Sequence, residues 1–277
     1  MAMTLMYITN NPKLARIAQS TGVDRIFVDL EQIGKQERQG GLDTVQSRHS
    51  IHDVKAMRSV LYKSELLVRT NPIYPEIKAE IEQLISAGAD VLMLPFFKTA
   101  KEVETFINII DGRAKVCLLV ETPEAVAAID DILALPGIDE IHIGLNDLHM
   151  GYGLEFMFEL LINGVVEDLC AKFKAKGIRY GFGGIAQLGK GTLPAKLILA
   201  EHFRLGSQMA ILSRSFFNPD KDDMPMAKEI FRNGVQEIRE YEQFLAMQDE
   251  PFFFESRIIM AQMIDQIKSV RKIQIAG

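Results

Sequence analysis

The sequence predicts an α/β fold: a (β/α)8 TIM barrel with extra C-terminal helices. Three observations lead there. Short, nearly continuous apolar runs alternate with amphipathic stretches, as expected of parallel strands covered on both faces. Eight such units at about 30 residues each give roughly the 250 residues of a closed barrel. The structural alternative, a doubly wound open sheet, would carry a Gly-rich first strand–helix turn, whereas that turn here reads Thr9-Asn10-Asn11-Pro12.

The strands are expected at Leu5–Ile8, Arg25–Asp29, Glu65–Arg69, Val91–Pro95, Lys115–Glu121, Glu140–Gly144, Arg179–Gly183 and Phe203–Leu205. Helix starts are marked between them. Thr99 with Glu102 forms a capping box, in which each side chain satisfies the other residue's amide. Thr122-Pro123-Glu124 supplies a cap, a proline at the first helical position and an acid near the positive helix end. Ser50 with Asp53 repeats the signal more weakly. Gly22, Gly88, Gly137 and Gly177 are the stops, each just before the next apolar run. Residues 1–218 thus form the barrel. Residues 219–277, including the apolar helical stretch Phe252–Val270, form a C-terminal helical extension expected to make an oligomer contact.

Composition narrows the function classes. The 277 residues are 48% hydrophobic and 25% charged, with a formal charge of −6 and two cysteines. The acidic balance argues against a general nucleic-acid binder. No apolar run approaches the roughly 18 residues of a membrane span, and the N-terminus lacks the pattern of a signal peptide. Two cysteines build no disulfide framework, so a cytoplasmic location is expected. Cys117, in an apolar strand, reads as an inert core thiol.

In a barrel, chemistry sits at the carboxyl ends of the strands. Those ends carry Asp29 and Glu31, Arg69 and Asn71, Glu121, then Asn146 and Asp147, and Gly183-Gly184. Glu121 and Asp147 belong to successive units. Two such carboxylates suit Mg2+ or Mn2+, which keep waters and take oxygen from a substrate. Arg69 offers a fixed fork of donors for a carboxylate or enolate oxygen. The plainer alternative is a set of strand-end salt bridges with Arg69.

Five segments in order resemble one known family: Val28-Asp29-Leu30-Glu31, Val68-Arg69-Thr70-Asn71-Pro72, Gly88–Pro95 with Thr99-Ala100-Lys101-Glu102, Val120-Glu121-Thr122-Pro123-Glu124, and Ile143-Gly144-Leu145-Asn146-Asp147-Leu148. Together, over about residues 22 to 215, they are similar to the HpcH/HpaI aldolase and citrate lyase beta-subunit family. The resemblance implies a phosphoenolpyruvate/pyruvate-type TIM barrel, a divalent metal and carbon–carbon bond cleavage or formation. It implies Glu121 and Asp147 as metal ligands and Arg69 as the holder of a pyruvate enolate oxygen. Gly144, Leu145 and Asn146 would face the substrate carboxylate, with Asp29 and Glu31 behind the first layer. It also implies a homo-oligomer, a trimer or hexamer, with C-terminal helices exchanged between subunits.

Departures from the family pattern are informative. After Asp-Leu-Glu, where aldolases place a histidine and citrate lyase-like members an aspartate, this chain has Gln32, whose amide does not titrate. His49 lies close enough in sequence to fold back over the site. The plainer reading puts it, with His52, on an exposed first helical turn. Gly34–Ser47 reads as a lid. Gly184–Gly191 approaches a Walker A loop but lacks the hydroxyl at the right spacing, so it reads as a flexible lid or a substrate-tail loop in which Lys190 could meet an anion. His142 and His202 are assigned to packing, and His149 to its loop.

The expected function is that of a divalent-metal-dependent carbon–carbon lyase, class II pyruvate aldolase-like, acting on a 4-hydroxy-2-oxo acid. Two alternatives stand beside it: a CoA-ester lyase like the citrate lyase beta subunit, and a non-catalytic 2-oxo acid-binding barrel in which Gln32 has replaced the proton relay.

Overall fold

A computed structural model describes residues 2–34 and 49–276. Eight parallel strands form the closed barrel in sequence order. They are β1 (Thr4–Ile8), β2 (Arg25–Asp29), β3 (Glu65–Arg69), β4 (Val91–Leu94), β5 (Lys115–Val120), β6 (Glu140–Ile143), β7 (Arg179–Ile185) and β8 (Met209–Leu212). Contacts group the chain into two compact units, Leu5–His142 and Ile143–Gly277 with Met1–Thr4.

In the first unit a three-residue device repeats. Gly22-Val23-Asp24, Gly88-Ala89-Asp90 and Gly137-Ile138-Asp139 precede β2, β4 and β6, and each glycine has a positive φ. Gly22 and Gly88 directly follow the last cap of the incoming helix, whereas Gly137 turns the chain after the short helix Ile129–Ile132 has already ended. The aspartate then grips the second residue of the preceding strand at two points. The amides of Leu5, Leu66 and Val116 donate to the carboxylates of Asp24, Asp90 and Asp139 at 2.7–2.8 Å. The aspartate amides return bonds to the carbonyls of the same three residues. Register is therefore set at the amino ends of the strands, and Arg25↔Glu65 and Asp29↔Arg69 fall directly opposite one another.

Alternation along these strands turns one set of side chains inward. The lowest layer is ionic. Arg25, fully buried, donates to Glu140 at 2.6 and 3.1 Å and to Glu65 at 2.6 and 3.1 Å, while Lys115 reaches Glu65 at 2.6 Å. Burial alone would weaken the Arg25 charge, but the two glutamates outweigh it and hold the guanidinium above its ordinary pKa. Helix starts follow the capping signals. Thr99 accepts from Glu102 N–H, Thr122 accepts from Ala125 N–H, and the Asp53 carboxylate takes the Ser50 amide.

In the second unit one strand lies elsewhere than the sequence suggests. Phe203–Leu205 closes the helix Ala195–Arg204, and β8 is Met209–Leu212. The helix runs on because Ile198, Leu199 and His202 share its buried face, leaving Phe203 39% exposed. Gly206, at φ +71°, then turns the chain. After β8 come a short 3-10 turn (Met224–Met226) and the helices Ala227–Leu245 and Glu250–Ala276. The last helix buries Phe253, Met260 and Ile264 against its own chain and is tied down by Arg257–Glu167 and Lys268–Glu159 ion pairs. Its other side exposes Phe254, Ile258 and Ile259. Among the described residues no helix is long and apolar enough to cross a membrane.

Candidate active site

The carboxyl end of β2 is held amide by amide. Asp29 N–H donates to His49 Nδ1 (3.0 Å), Leu30 N–H to the Arg69 carbonyl (3.0 Å) and Glu31 N–H to Asp29 Oδ1 (3.2 Å). Gln32 and Ile33 N–H both donate to Asn71 Oδ1, at 2.9 and 3.1 Å. Five consecutive amides thus have acceptors, from buried Asp29 out to exposed Gln32 and Ile33.

This rigid turn presents two carboxylates to β3. Arg69 Nε and Nη2 grip Asp29 in a two-point fork at 2.8 and 2.7 Å, and Nη1 lies 3.3 Å from Glu31. Beneath the guanidinium lies the Phe27 ring, with its centroid 5.7 Å away. Burial opposes the Arg69 charge, but Asp29, Glu31 and, further off, Glu121 raise its pKa above the ordinary value. Among the described residues the guanidinium donates hydrogen bonds to Asp29 alone, through two of its five N–H groups, while Nη1 faces Glu31 as an ion pair. The N–H groups of Nη1 and the second one of Nη2 make no hydrogen bond among the described residues, on a side chain 13% exposed.

Glu121, one residue past β5 and 3% exposed, accepts from Phe96 N–H at 3.0 Å. Phe96 has φ +48°, a left-handed geometry that a side chain with a Cβ adopts at a cost. Thr122 Oγ1 secures the next residue by donating to the Phe97 carbonyl at 2.9 Å. The half-buried Phe96 ring lies 5.7 Å from Lys98 Nζ, which pairs with Glu124 at 2.9 Å.

Behind the β2 turn, Glu80 in the helix Ile77–Ser86 receives three hydrogen bonds. Asn71 N–H and Nδ2 each donate at 2.9 Å, and Tyr74 OH donates at 2.8 Å. Burial, then the Glu80 carboxylate, push the Tyr74 hydroxyl up to about 12.

In the second unit, Gly144 precedes the helix Leu145–Gly151, with Asn146 and Asp147 half-buried in its first turn. Leu145 is buried, its side chain so near Gly183 (φ +50°) that a Cβ there would sit 2.7 Å from Leu145 Cδ1.

The structure therefore gathers Asp29, Glu31, Arg69 and His49 closely, with Glu121 within electrostatic reach of Arg69. Gln32 joins through its backbone while its side chain is exposed. His49 is buried against Asp29 instead of standing on an exposed helical turn, whereas His52 is exposed. The lid expected at Gly34–Ser47 lies, beyond Gly34, outside the described residues. The Gly184–Gly191 loop lines a cavity of about 650 Å3 through Leu188 and Gly189, with Lys196 and Tyr241 opposite, and Lys190 is exposed. Cys117 and Cys170 are buried, and burial pushes both thiols up, Cys170 to about 12. Glu80 and the Phe96 backbone carry no signal in the sequence that sets them apart from an ordinary helix acid and an ordinary apolar loop residue.

Among the described residues no group of three or more His, Cys, Asp or Glu is arranged to hold a metal by itself. Buried Glu121 is a hard oxygen donor of the type that Mg2+ and Mn2+ accept alongside water and substrate oxygens, so the donor chemistry fits such an ion.

The family model described as HpcH/HpaI aldolase/citrate lyase matches residues 3–159. A citrate lyase subunit beta from Leuconostoc mesenteroides subsp. cremoris is 32% identical over 145 residues, 50% of this chain. The match spans 45% of that relative's own length. Solved structures share the fold. An HpcH/HpaI aldolase from Desulfitobacterium hafniense DCB-2 aligns with a TM-score of 0.62 at 18% identity, over 86% of this chain and 93% of that one. The citrate synthase SbnG aligns with a TM-score of 0.58 at 17% identity, over 87% and 94%.

Proposed function

Because the chain belongs to the HpcH/HpaI aldolase/citrate lyase family, a family of carbon–carbon lyases, we propose that it cleaves or forms a 4-hydroxy-2-oxo acid through a pyruvate enolate. The observation that carries this reading is the Arg69 fork. Asp29 and Glu31 fix the guanidinium at a strand end, and its remaining N–H groups suit an oxygen that gains charge as the carbon–carbon bond breaks. Donors already in place need no rearrangement when that charge develops.

Each residue then has a task. Arg69 binds the 2-oxo acid and stabilises its enolate oxygen. Asp29 and Glu31 orient Arg69, and His49 holds Asp29 through its amide. Glu121 and Asp147 would hold Mg2+ or Mn2+, which when bound supplies Lewis-acid stabilisation of the same enolate. Gly144, Leu145 and Asn146 form the turn that would face the substrate carboxylate. Gln32 can orient an electrophile by hydrogen bonds but cannot take its proton. The exposed Phe254, Ile258 and Ile259, with Phe244 and Met247, support assembly as a homo-oligomer, a trimer or hexamer.

The test is exchange of solvent deuterium into the methyl group of pyruvate with Mg2+ or Mn2+ present. Exchange that Arg69→Lys lowers about 10²–10³-fold and Glu121→Ala abolishes is expected; no exchange in the unaltered protein overturns the reading. The citrate lyase beta relative favours a second reading, a CoA-ester lyase. A panel of aldehydes against acyl-CoA esters separates the two.

A further inference from the structure

The hydrogen bonds behind the β2 turn all run one way. A carboxylate can only accept, so Glu80 pairs with the donor side of the Asn71 amide and with no other. That leaves Asn71 Oδ1 as the face presented to the turn, where two successive amides, Gln32 and Ile33, need an oxygen. Were the Asn71 amide reversed, its NH2 would meet both of those N–H groups and Glu80 would face an oxygen. Tyr74 OH adds a third donor to Glu80, reinforcing the same polarity. Glu80 is itself fixed, in the first turn of a helix, with its amide bonded to the Glu76 carbonyl at 3.2 Å.

From this chain of contacts we propose that Glu80 is a positioning residue for the active site. Through Asn71 it sets the Gln32–Ile33 backbone, and thereby the approach of Asp29 and Glu31 to Arg69. A side chain on a rigid helix thus reaches the enolate-binding guanidinium through three layers without touching substrate. The inference rests on the proposed function for its activity readout only.

A polarity swap tests it. Glu80→Gln places an NH2 against the Asn71 donors, and Asn71→Asp places two carboxylates face to face. The double variant restores the match: the new aspartate accepts from both turn amides and from the new glutamine NH2, and the glutamine oxygen accepts the amide of residue 71. Tyr74 OH then accepts instead of donating. Amide hydrogen exchange at residues 30–34 should rise about tenfold or more in each single variant and return to the original level in the double. Deuterium incorporation into pyruvate should fall roughly ten- to a hundredfold in kcat in the single variants, with KM little changed, and recover in the double. Circular dichroism melting confirms that each variant is folded, and if Glu80→Gln is not, Asn71→Asp and the double variant carry the same comparison. Unchanged exchange in both single variants, or a double variant as impaired as either single one, overturns the proposal. If the unaltered protein does not enolise pyruvate, the functional reading fails while the exchange measurement still decides the role of Glu80.

Discussion

Removing the Glu140 carboxylate should be among the most damaging single changes to the fold. Arg25 has no solvent contact, and its five N–H groups point at Glu140, Glu65 and the Met6 sulfur. Glu140→Ala deletes the two bonds of 2.6 and 3.1 Å and leaves a buried guanidinium half-compensated. Removing one partner of a buried pair costs about 3–5 kcal/mol. Glu65 offers a contrast on the same guanidinium: its side chain is 36% exposed and already shared with Lys115. Water can replace part of what it supplies, so Glu65→Ala should cost roughly 1–2 kcal/mol. Urea titration followed by circular dichroism reads both values, and the melting temperature should drop on the order of 10 °C for Glu140→Ala. Removing both charges, as in Arg25→Met with Glu140→Leu, should recover most of the loss, because no uncompensated charge stays behind. Equal losses for the two glutamate variants, or a double variant less stable than Glu140→Ala, would refute the argument.

Other outcomes rest on the same geometry. Arg69→Lys keeps the charge but loses the fork, so pyruvate enolisation should fall about 10²–10³-fold while melting shifts by only a few degrees; near-normal turnover would contradict the fork's role. Gly181→Ala would place a Cβ 2.1 Å from the Met209 carbonyl, whereas a Cβ on Gly153 meets nothing within 4 Å. The first should therefore cost roughly 3 kcal/mol or more, the second only the about 1–2 kcal/mol of a left-handed backbone; similar unfolding midpoints would count against this account. Glu167, beside Arg204, and Glu65 and Glu159, where ion pairs overcome burial, all sit below the ordinary glutamate value of 4.5. A carboxylate whose pKa is lower in the folded state supports the fold above 4.5, and the support is lost as pH falls through the folded value. Melting temperature should decline below pH 4.5, less steeply for Glu167→Gln, and identical declines would exclude that contribution.

The strands were legible because a buried parallel strand is a short apolar run, and a charged residue at its end stands out by polarity. Asp29, Arg69 and Glu121 were visible on that ground alone. The eighth strand was not, since Phe203–Leu205 is as apolar as Met209–Leu212 and only the helix's buried face separates them. Gly22, Gly88 and Gly137 were readable as turns before β2, β4 and β6, but the aspartate two residues after each, which clamps the neighbouring strand, looks like any loop acid until the strands are paired. His49 is 20 residues from Asp29, and nothing in its spacing announces that its ring accepts the Asp29 amide. Glu80 was least visible, because an acid in a first helical turn is ordinary helix chemistry. Its meaning lies in Asn71, and that of Asn71 in the Gln32 turn.

The two ends of one strand pair separate stability from function on physical grounds. β2 carries Arg25 at its start and Asp29 at its end; β3 carries Glu65 and Arg69 in the opposite order, paired directly across. Both ends therefore hold an arginine against carboxylates, and charge alone cannot say which one works on a substrate. Saturation can. Arg25 is sealed and its donors are directed at protein acceptors, so a ligand could reach it only by breaking what holds the barrel floor. Among the described residues Arg69 keeps N–H groups on Nη1 and Nη2 that make no hydrogen bond, on a side chain still reached by solvent. A guanidinium held firmly yet left with donors to offer is what a developing oxyanion requires. On the proposed function the end with incomplete pairing is the one that meets substrate, and the end with complete pairing lets the barrel tolerate it.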